Sequence, residues 1–128
     1  MEKFLLLIRE DLSKINQSEE VLFESIREMD EWVKGLTKTN TYVIGDALTN
    51  EGRYVRKDRV LSDGPFIEAK EAVSGYIIIE AKDLQQAVSI AQSCPHVQNE
   101  NMAIEVRPLM GLKDVRELGD VERTAGSR

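Results

Sequence analysis

The stretch FLLLI, residues 4–8, is apolar at five consecutive positions. Successive side chains of a strand point to opposite faces of a sheet, so a strand of this composition is covered on both faces. A second run of the same kind, YIII at residues 76–79, follows Gly75. The sequence therefore predicts a sheet in which these two strands are buried on both sides.

Two helices are predicted to alternate with the strands. The first spans residues 18–38, and Ser18 is suited to cap it. The second spans residues 84–93, with Asp83 as its cap and Pro95 at its end. Apolar residues recur on the first helix at steps of four and three, which forms one stripe: Leu22, Ile26, Met29, Val33 and Leu36.

The remaining segments complete a recognisable order. Residues 41–44 are rich in strand formers, and this strand is expected to end at Gly45-Asp46. Residues 53–61 are expected to form a short hairpin. Apolar and charged side chains alternate along residues 103–109, where Pro108 indicates a strand end or an edge position. The order β-α-β-(hairpin)-β-α-β is the split pattern of ferredoxin-like α+β domains. It predicts an antiparallel sheet with both helices on one face.

Two helices on one face leave the other face of the sheet uncovered, although its strands are apolar there. A second copy of the chain would cover that face and form a two-fold homodimer. Alternatively, the hairpin and the C-terminal tail fold over it within one chain. Residues 1–110 are predicted to form one α+β domain, and residues 111–128 a partly flexible tail.

Composition restricts the function classes. The 128 residues include 17 basic and 23 acidic side chains, and a net charge of −6 without a Lys/Arg stripe excludes nucleic acid and anionic membranes as partners. One cysteine, Cys94, indicates a reducing compartment. Because no signal peptide or bilayer-length apolar run is present, a cytoplasmic location is expected. No phosphate-binding glycine loop or metal-ligand spacing occurs, so neither cofactor nor metal is predicted.

Two candidate catalytic residues stand out. Asp63 lies in LSDGPFIEAKE, residues 61–71. The Asp-Gly-Pro sequence is typical of a turn, and such a turn can also direct the Asp63 side chain into a pocket. His96 is the only histidine, and its ordinary pKa of about 6.5 suits it to proton transfer near neutral pH. Its alternative role is a surface or capping histidine at a helix C-terminus.

Four further residues are candidates for ligand binding. Arg107 and Glu105 alternate with Ile104 and Val106, so they are expected on the uncovered face, where a guanidinium can hold a carboxylate. This arrangement predicts a small acidic ligand, and a salt bridge is the alternative. The other two candidates are Ser62 and Tyr76. Ser62 lacks a nucleophile-elbow context, and Tyr76 also suits a buried strand position.

A group of motifs now becomes recognisable as a set. The motifs are KFLLLI at residues 3–8, DGPF at 63–66 with Glu68 and Lys70, Gly75-Tyr76, Asp83-Leu84, Cys94-Pro95 and IEVRP at 104–108. Together they resemble the YCII-related family in its DGPF subgroup. The resemblance covers residues 1–110, and it implies a dimeric α+β barrel.

The family resemblance implies little about a reaction, because most members are functionally uncharacterised. Lyase-like relatives include a dehydrochlorinase acting on a muconolactone. A His/Asp pair is the suggested catalytic dyad of these relatives, and Asp63 matches its aspartate. DGPF proteins are encoded beside sigma-factor genes, which implies a regulatory or stress-linked role in bacteria. Two functions stay open: a dimeric module binding a small molecule or regulatory partner, and a lyase- or isomerase-type enzyme using Asp63 and His96.

Overall fold

The computed structural model describes residues 1–11, 18–49, 51–61 and 71–111, with the backbone alone for Glu71. Within these ranges no helix is both long and apolar enough to cross a membrane. The described elements, in chain order, are β1 (Glu2–Asp11), α1 (Glu19–Lys38), β2 (Tyr42–Ala47), β3 (Tyr54–Arg56), β4 (Arg59–Leu61), β5 (Glu71–Ala81), α2 (Leu84–Gln92), α3 (Pro95–Gln98) and β6 (Met102–Pro108).

Four strands form an antiparallel sheet in the order β2-β5-β1-β6, and β3 pairs with β4 in a separate hairpin. This is the predicted ferredoxin-like α+β fold with an inserted hairpin. Strand β1, which carries the FLLLI stretch, lies between β5 and β6, so that Leu6 faces Ile77 on one side and Val106 on the other. The predicted edge position of Pro108 is confirmed, because β6 is an outer strand and ends there.

Both predicted helix starts are confirmed in position and cap. The Ser18 hydroxyl accepts a hydrogen bond from the backbone N–H of Val21, 3.3 Å away, at the start of α1. The Asp83 carboxylate accepts one from Gln86 at 2.8 Å at the start of α2. These side chains satisfy backbone donors that the first turn of a helix leaves free.

The core lies between the sheet and both helices. Alternate residues of β1 and β5 meet the small residues Ala87 and Ala91 of α2, which let that helix approach closely. The C-terminal part of the α1 stripe packs against the same cluster, so both helices cover one face. The buried strand residues are Phe4, Leu6, Ile8, Ile77, Ile79 and Ala81.

The opposite side of the sheet is called the helix-free face here. Its side chains alternate with the buried ones and form two rows across the strands: Ile44, Ile78, Leu5 and Arg107, then Asp46, Tyr76, Leu7 and Glu105. All residues of the β3–β4 hairpin are exposed. The hairpin therefore does not cover this apolar face, and the tail from residue 112 lies outside the described residues.

The expected end of β2 at Gly45-Asp46 is wrong, because the strand continues to Ala47. Gly45 and Asp46 pair with Ile77 and Tyr76 after an irregularity in the register. A Cβ atom on Gly45 would lie 2.7 Å from the carbonyl oxygen of Tyr76. Gly45 is thus required for the close approach of two strands rather than for a turn.

A second difference concerns residues 95–98. Pro95 ends α2, as expected, but it also occupies the first turn of α3, where a missing N–H costs nothing. The chain then remains helical to Gln98. His96 therefore sits on a short helix that packs against both α1 and β6.

Candidate functional site

A cavity of about 810 Å³ lies between the N-terminal half of α1 and the sheet. Only the C-terminal half of the α1 stripe, from Met29 onward, packs against the core. Leu22 and Ile26, nearer the N-terminus, stay more than half exposed and line the cavity instead. Its other apolar walls include Ile8, Tyr42, Ile77 and Met102.

His96 lines this α1–sheet cavity. Only 3% of the residue is exposed, and its Nε2 lies 2.9 Å from the carbonyl oxygen of Ser25 and 3.2 Å from the Ser25 hydroxyl. A carbonyl only accepts, so Nε2 carries the hydrogen and donates it to Ser25. Nδ1 can then accept from the Asn99 amide nitrogen, 3.4 Å away. Through these contacts His96 joins α1 to α3.

The cavity is lined by acidic side chains. Glu28 places a carboxylate oxygen 3.8 Å from Nε2 of His96, and it lies one turn beyond Ser25 on the same helix. No Lys or Arg of the described ranges lines the cavity, so its described electrostatic field favours cations over anions. The acidic lining residues are Glu10, Asp11, Glu20, Glu24, Glu28 and Asp46.

Cys94 lies beside this region but is not a reactive group. Its residue is fully buried, and its thiol donates to the Met29 sulfur at 3.5 Å. Burial raises the pKa of the Cys94 thiol, which disfavours the nucleophilic thiolate. In the described part of the chain, no three His, Cys, Asp or Glu side chains gather as a metal-ligand set.

The other predicted ligand-binding residues are placed on the helix-free face. Arg107 is largely exposed and donates to Glu105 at 3.2 Å, which matches the salt-bridge alternative. Arg9, which the sequence reasoning missed, donates twice to Glu105, at 3.0 and 2.8 Å. Hydrogen bonds from Arg9 first and Arg107 second lower the pKa of Glu105. Arg9 follows Leu5 and Leu7 at two-residue steps, and this spacing could have placed its side chain on the helix-free face from the sequence alone.

The structure does not bring all predicted site residues together. His96 lies on the helix side of the sheet, whereas Arg107 and Glu105 lie on the helix-free face. Tyr76 alternates with buried Gly75 and Ile77, which places its side chain on the helix-free face, although the residue also borders the cavity. Ser62 and Asp63 lie outside the described residues, so the Asp63–His96 pair stays a prediction.

The YCII-related domain model matches residues 3–113. The chain belongs to the YCII-related domain family. No curated protein matches this YCII-related chain.

A solved structure of similar fold is 5-chloro-2-hydroxyhydroquinone dehydrochlorinase, TftG, from Burkholderia phenoliruptrix AC1100, in complex with 2,5-dihydroxybenzoquinone. The two chains are 15% identical with a TM-score of 0.53, and the match covers 87% of the YCII-related chain and 96% of TftG. At this identity the likeness establishes the fold alone. It agrees with the α+β architecture predicted from the strand and helix order.

Proposed function

We propose that this YCII-related protein binds a small organic molecule in the α1–sheet cavity. The observation that carries the proposal is the half-covered α1 stripe, because Leu22 and Ile26 face a hollow rather than the core. A volume of about 810 Å³ falls within the range of ligand pockets, and apolar walls with a few polar groups are typical of them. His96, Ser25 and Glu28 supply polar atoms at one end.

The lining favours a ligand that is uncharged or positively charged. Acidic residues of α1, namely Glu20, Glu24 and Glu28, border the cavity, and no described Lys or Arg lines it, so a bound carboxylate would meet like charges. The small acidic ligand expected from the sequence depended on Arg107, which belongs to the helix-free face. A carboxylate-binding role for Arg107 would therefore operate at that face and not in this cavity.

We further propose that the protein is a homodimer paired through the helix-free face. Leu5, Leu7, Tyr76 and Ile78 form a contiguous apolar strip there, and neither helix covers it. Burying such a strip against its own copy removes apolar surface from water on both chains. The resemblance of residues 63–66 to the DGPF subgroup supports a regulatory role in bacteria, in which the protein would bind its ligand.

A thermal-shift series tests ligand binding with matched compounds. Neutral quinones, aromatic amines and aromatic carboxylates of similar size would be compared on the wild-type chain. A ligand at about 100 times its Kd stabilises the folded state by about 2.7 kcal/mol, which raises the Tm by roughly 5–10 °C. We expect such shifts from neutral or cationic members and none from the carboxylates.

Two neighbouring tryptophan variants control this test. Leu22→Trp places a bulky ring in the cavity wall, which narrows the cavity and is expected to reduce the shifts strongly. Phe23→Trp is its matched control, because Phe23 is 74% exposed and does not line the cavity. Shifts that persist in Leu22→Trp, or that vanish equally in both variants, would contradict binding in this cavity.

The second candidate function is a lyase- or isomerase-type reaction, favoured by the position of His96 beside Glu28 at the cavity wall. The fold likeness to TftG, named as a dehydrochlorinase, supports the same class. Asp63 and His96 would transfer protons, a contribution of typically ~100- to 10,000-fold. We expect chloride release from chlorinated hydroquinones to fall by about that factor in Asp63→Asn, with binding retained. Absence of release by the wild-type chain would reject this reaction.

A further inference from the structure

The β3–β4 hairpin presents apolar side chains that the described structure leaves uncovered. Val55 is 71% exposed and Val60 is 58% exposed, and the two face each other across the hairpin, so they share one side of it. Leu61 is exposed as well. Isolated two-stranded hairpins are marginal in water, and this one makes its principal contacts within itself. The exposed apolar side of the hairpin therefore suits packing against another surface.

The turn of the hairpin is basic in an otherwise acidic protein. The turn contains three basic residues, Arg56, Lys57 and Arg59, and one acidic residue, Asp58. Its local net charge is therefore +2, whereas the whole chain carries −6. Apolar residues next to a basic turn predict a receiving surface that is apolar and acidic.

The outer side of α1 has that composition. A shallow depression there is formed by Glu20, Phe23, Glu24, Ile26, Arg27 and Asp30, which we call the acidic α1 surface. Phe23 and Ile26 are its exposed apolar centre. Arg27 pairs with Glu24 and Glu31, and Lys34 pairs with Asp30. These two cations meet four carboxylates once Glu20 is included, so the surface keeps an acidic balance.

We propose that the hairpin of one copy docks on the acidic α1 surface of a second copy. Val55 and Val60 would cover Phe23 and Ile26, and the basic turn would lie against Glu20 and Glu24. A second copy is the fitting occupant because every chain carries both surfaces, so the contact can be made twice about a two-fold axis. The chain's own hairpin leaves its own α1 surface exposed.

This contact does not use the helix-free face. It shares Glu20, Glu24 and Ile26 with the lining of the α1–sheet cavity, but it needs no bound ligand, and its test measures mass rather than ligand binding. Combined with pairing through the helix-free face, it assembles dimers into tetramers. Its area is small and its charges are exposed, so we expect a weak association that salt weakens further.

Charge reversal in two places tests the proposal on the full chain. Sedimentation equilibrium would follow the mass over a concentration series at low and high salt. Arg56→Glu with Arg59→Glu reverses the hairpin, and Glu20→Lys with Glu24→Lys reverses the acidic α1 surface. Each double variant alone is expected to weaken the concentration-dependent association at least 10-fold. An equimolar mixture of the two is expected to restore it, because both contacts then join opposite charges.

The controls make each outcome decisive. Lys38→Glu with Lys82→Glu lowers the net charge by the same amount as the hairpin variant but touches neither surface, and it is expected to associate like the wild type. The α1 variant shifts the net charge toward zero, so repulsion between whole chains cannot explain a weaker association of that variant. The far-UV circular dichroism of every variant would be recorded, and the mixture needs only folded partners. A wild-type mass that does not rise with concentration, unchanged association in either reversed variant, or a mixture that fails to associate would overturn the docking proposal.

Discussion

Leu6→Ala is expected to lower the free energy of unfolding by about 2–5 kcal/mol, a large part of the roughly 5–15 kcal/mol that holds a domain together. Leu6 is completely buried on the helix side of β1, and it faces residues of β5 and β6 at once. Its truncation removes apolar burial and leaves a cavity that two flanking strands prevent from collapsing. Urea denaturation followed by circular dichroism measures the change, with an unaltered m-value expected.

The matched control is Leu84→Ala, the same truncation at the start of α2. Leu84 is 47% exposed, so the expected loss is at most about 1 kcal/mol. Equal losses at the two sites would show that β1 is not the centre of the core, as would a loss below about 1 kcal/mol for Leu6→Ala.

Leu7→Glu is expected to separate the proposed homodimer into single chains. Leu7 lies between Tyr76 and Glu105 on the helix-free face, so the new carboxylate would be buried beside an existing one. Desolvation of the new carboxylate is expected to raise the Kd of the dimer at least about 100-fold, or about 2.7 kcal/mol. Light scattering across a concentration series would record a mass near one chain where the wild type gives two.

Leu84→Glu is the control for this second prediction, because it adds the same charge at an exposed site on the helix side. It is expected to keep the wild-type mass. A wild-type protein that is a single chain throughout the series would remove the proposed pairing, and a dimeric Leu7→Glu would move the interface to another surface. The hairpin proposal is distinct, since its variants change association beyond the dimer.

The elements of the fold were predictable because their signals are local. The α1 stripe, the caps Ser18 and Asp83 and the runs at 4–8 and 76–79 each lie within one element, and periodicity or a single hydrogen bond defines them. The extension of β2 past Gly45 was not predictable, because it depends on a partner strand 30 residues away that only a glycine lets approach. The start of α3 at Pro95 was missed because one proline both ends and begins a helix.

The candidate site was predictable only in part. His96 was identified as the single histidine, but Ser25, Glu28 and Asn99 carry no sequence signal that distinguishes them from surface residues. The pairing of Arg9 with Glu105 joins residues 96 positions apart, although both were expected on β-strands. Whether Asp63 reaches His96 stays a prediction.

By itself the sequence determined the two-sided apolar strands, the positions of α1 and α2 and the acidic charge, because these follow from local composition and periodicity. Only the tertiary structure decided that the N-terminal half of α1 stands over a cavity, and that His96 and Arg107 lie on opposite sides of the sheet. The physical reason is that a stripe of apolar residues specifies which side of a helix faces inward, but not what it meets there. That depends on strands and helices far along the chain, whose packing no local pattern encodes.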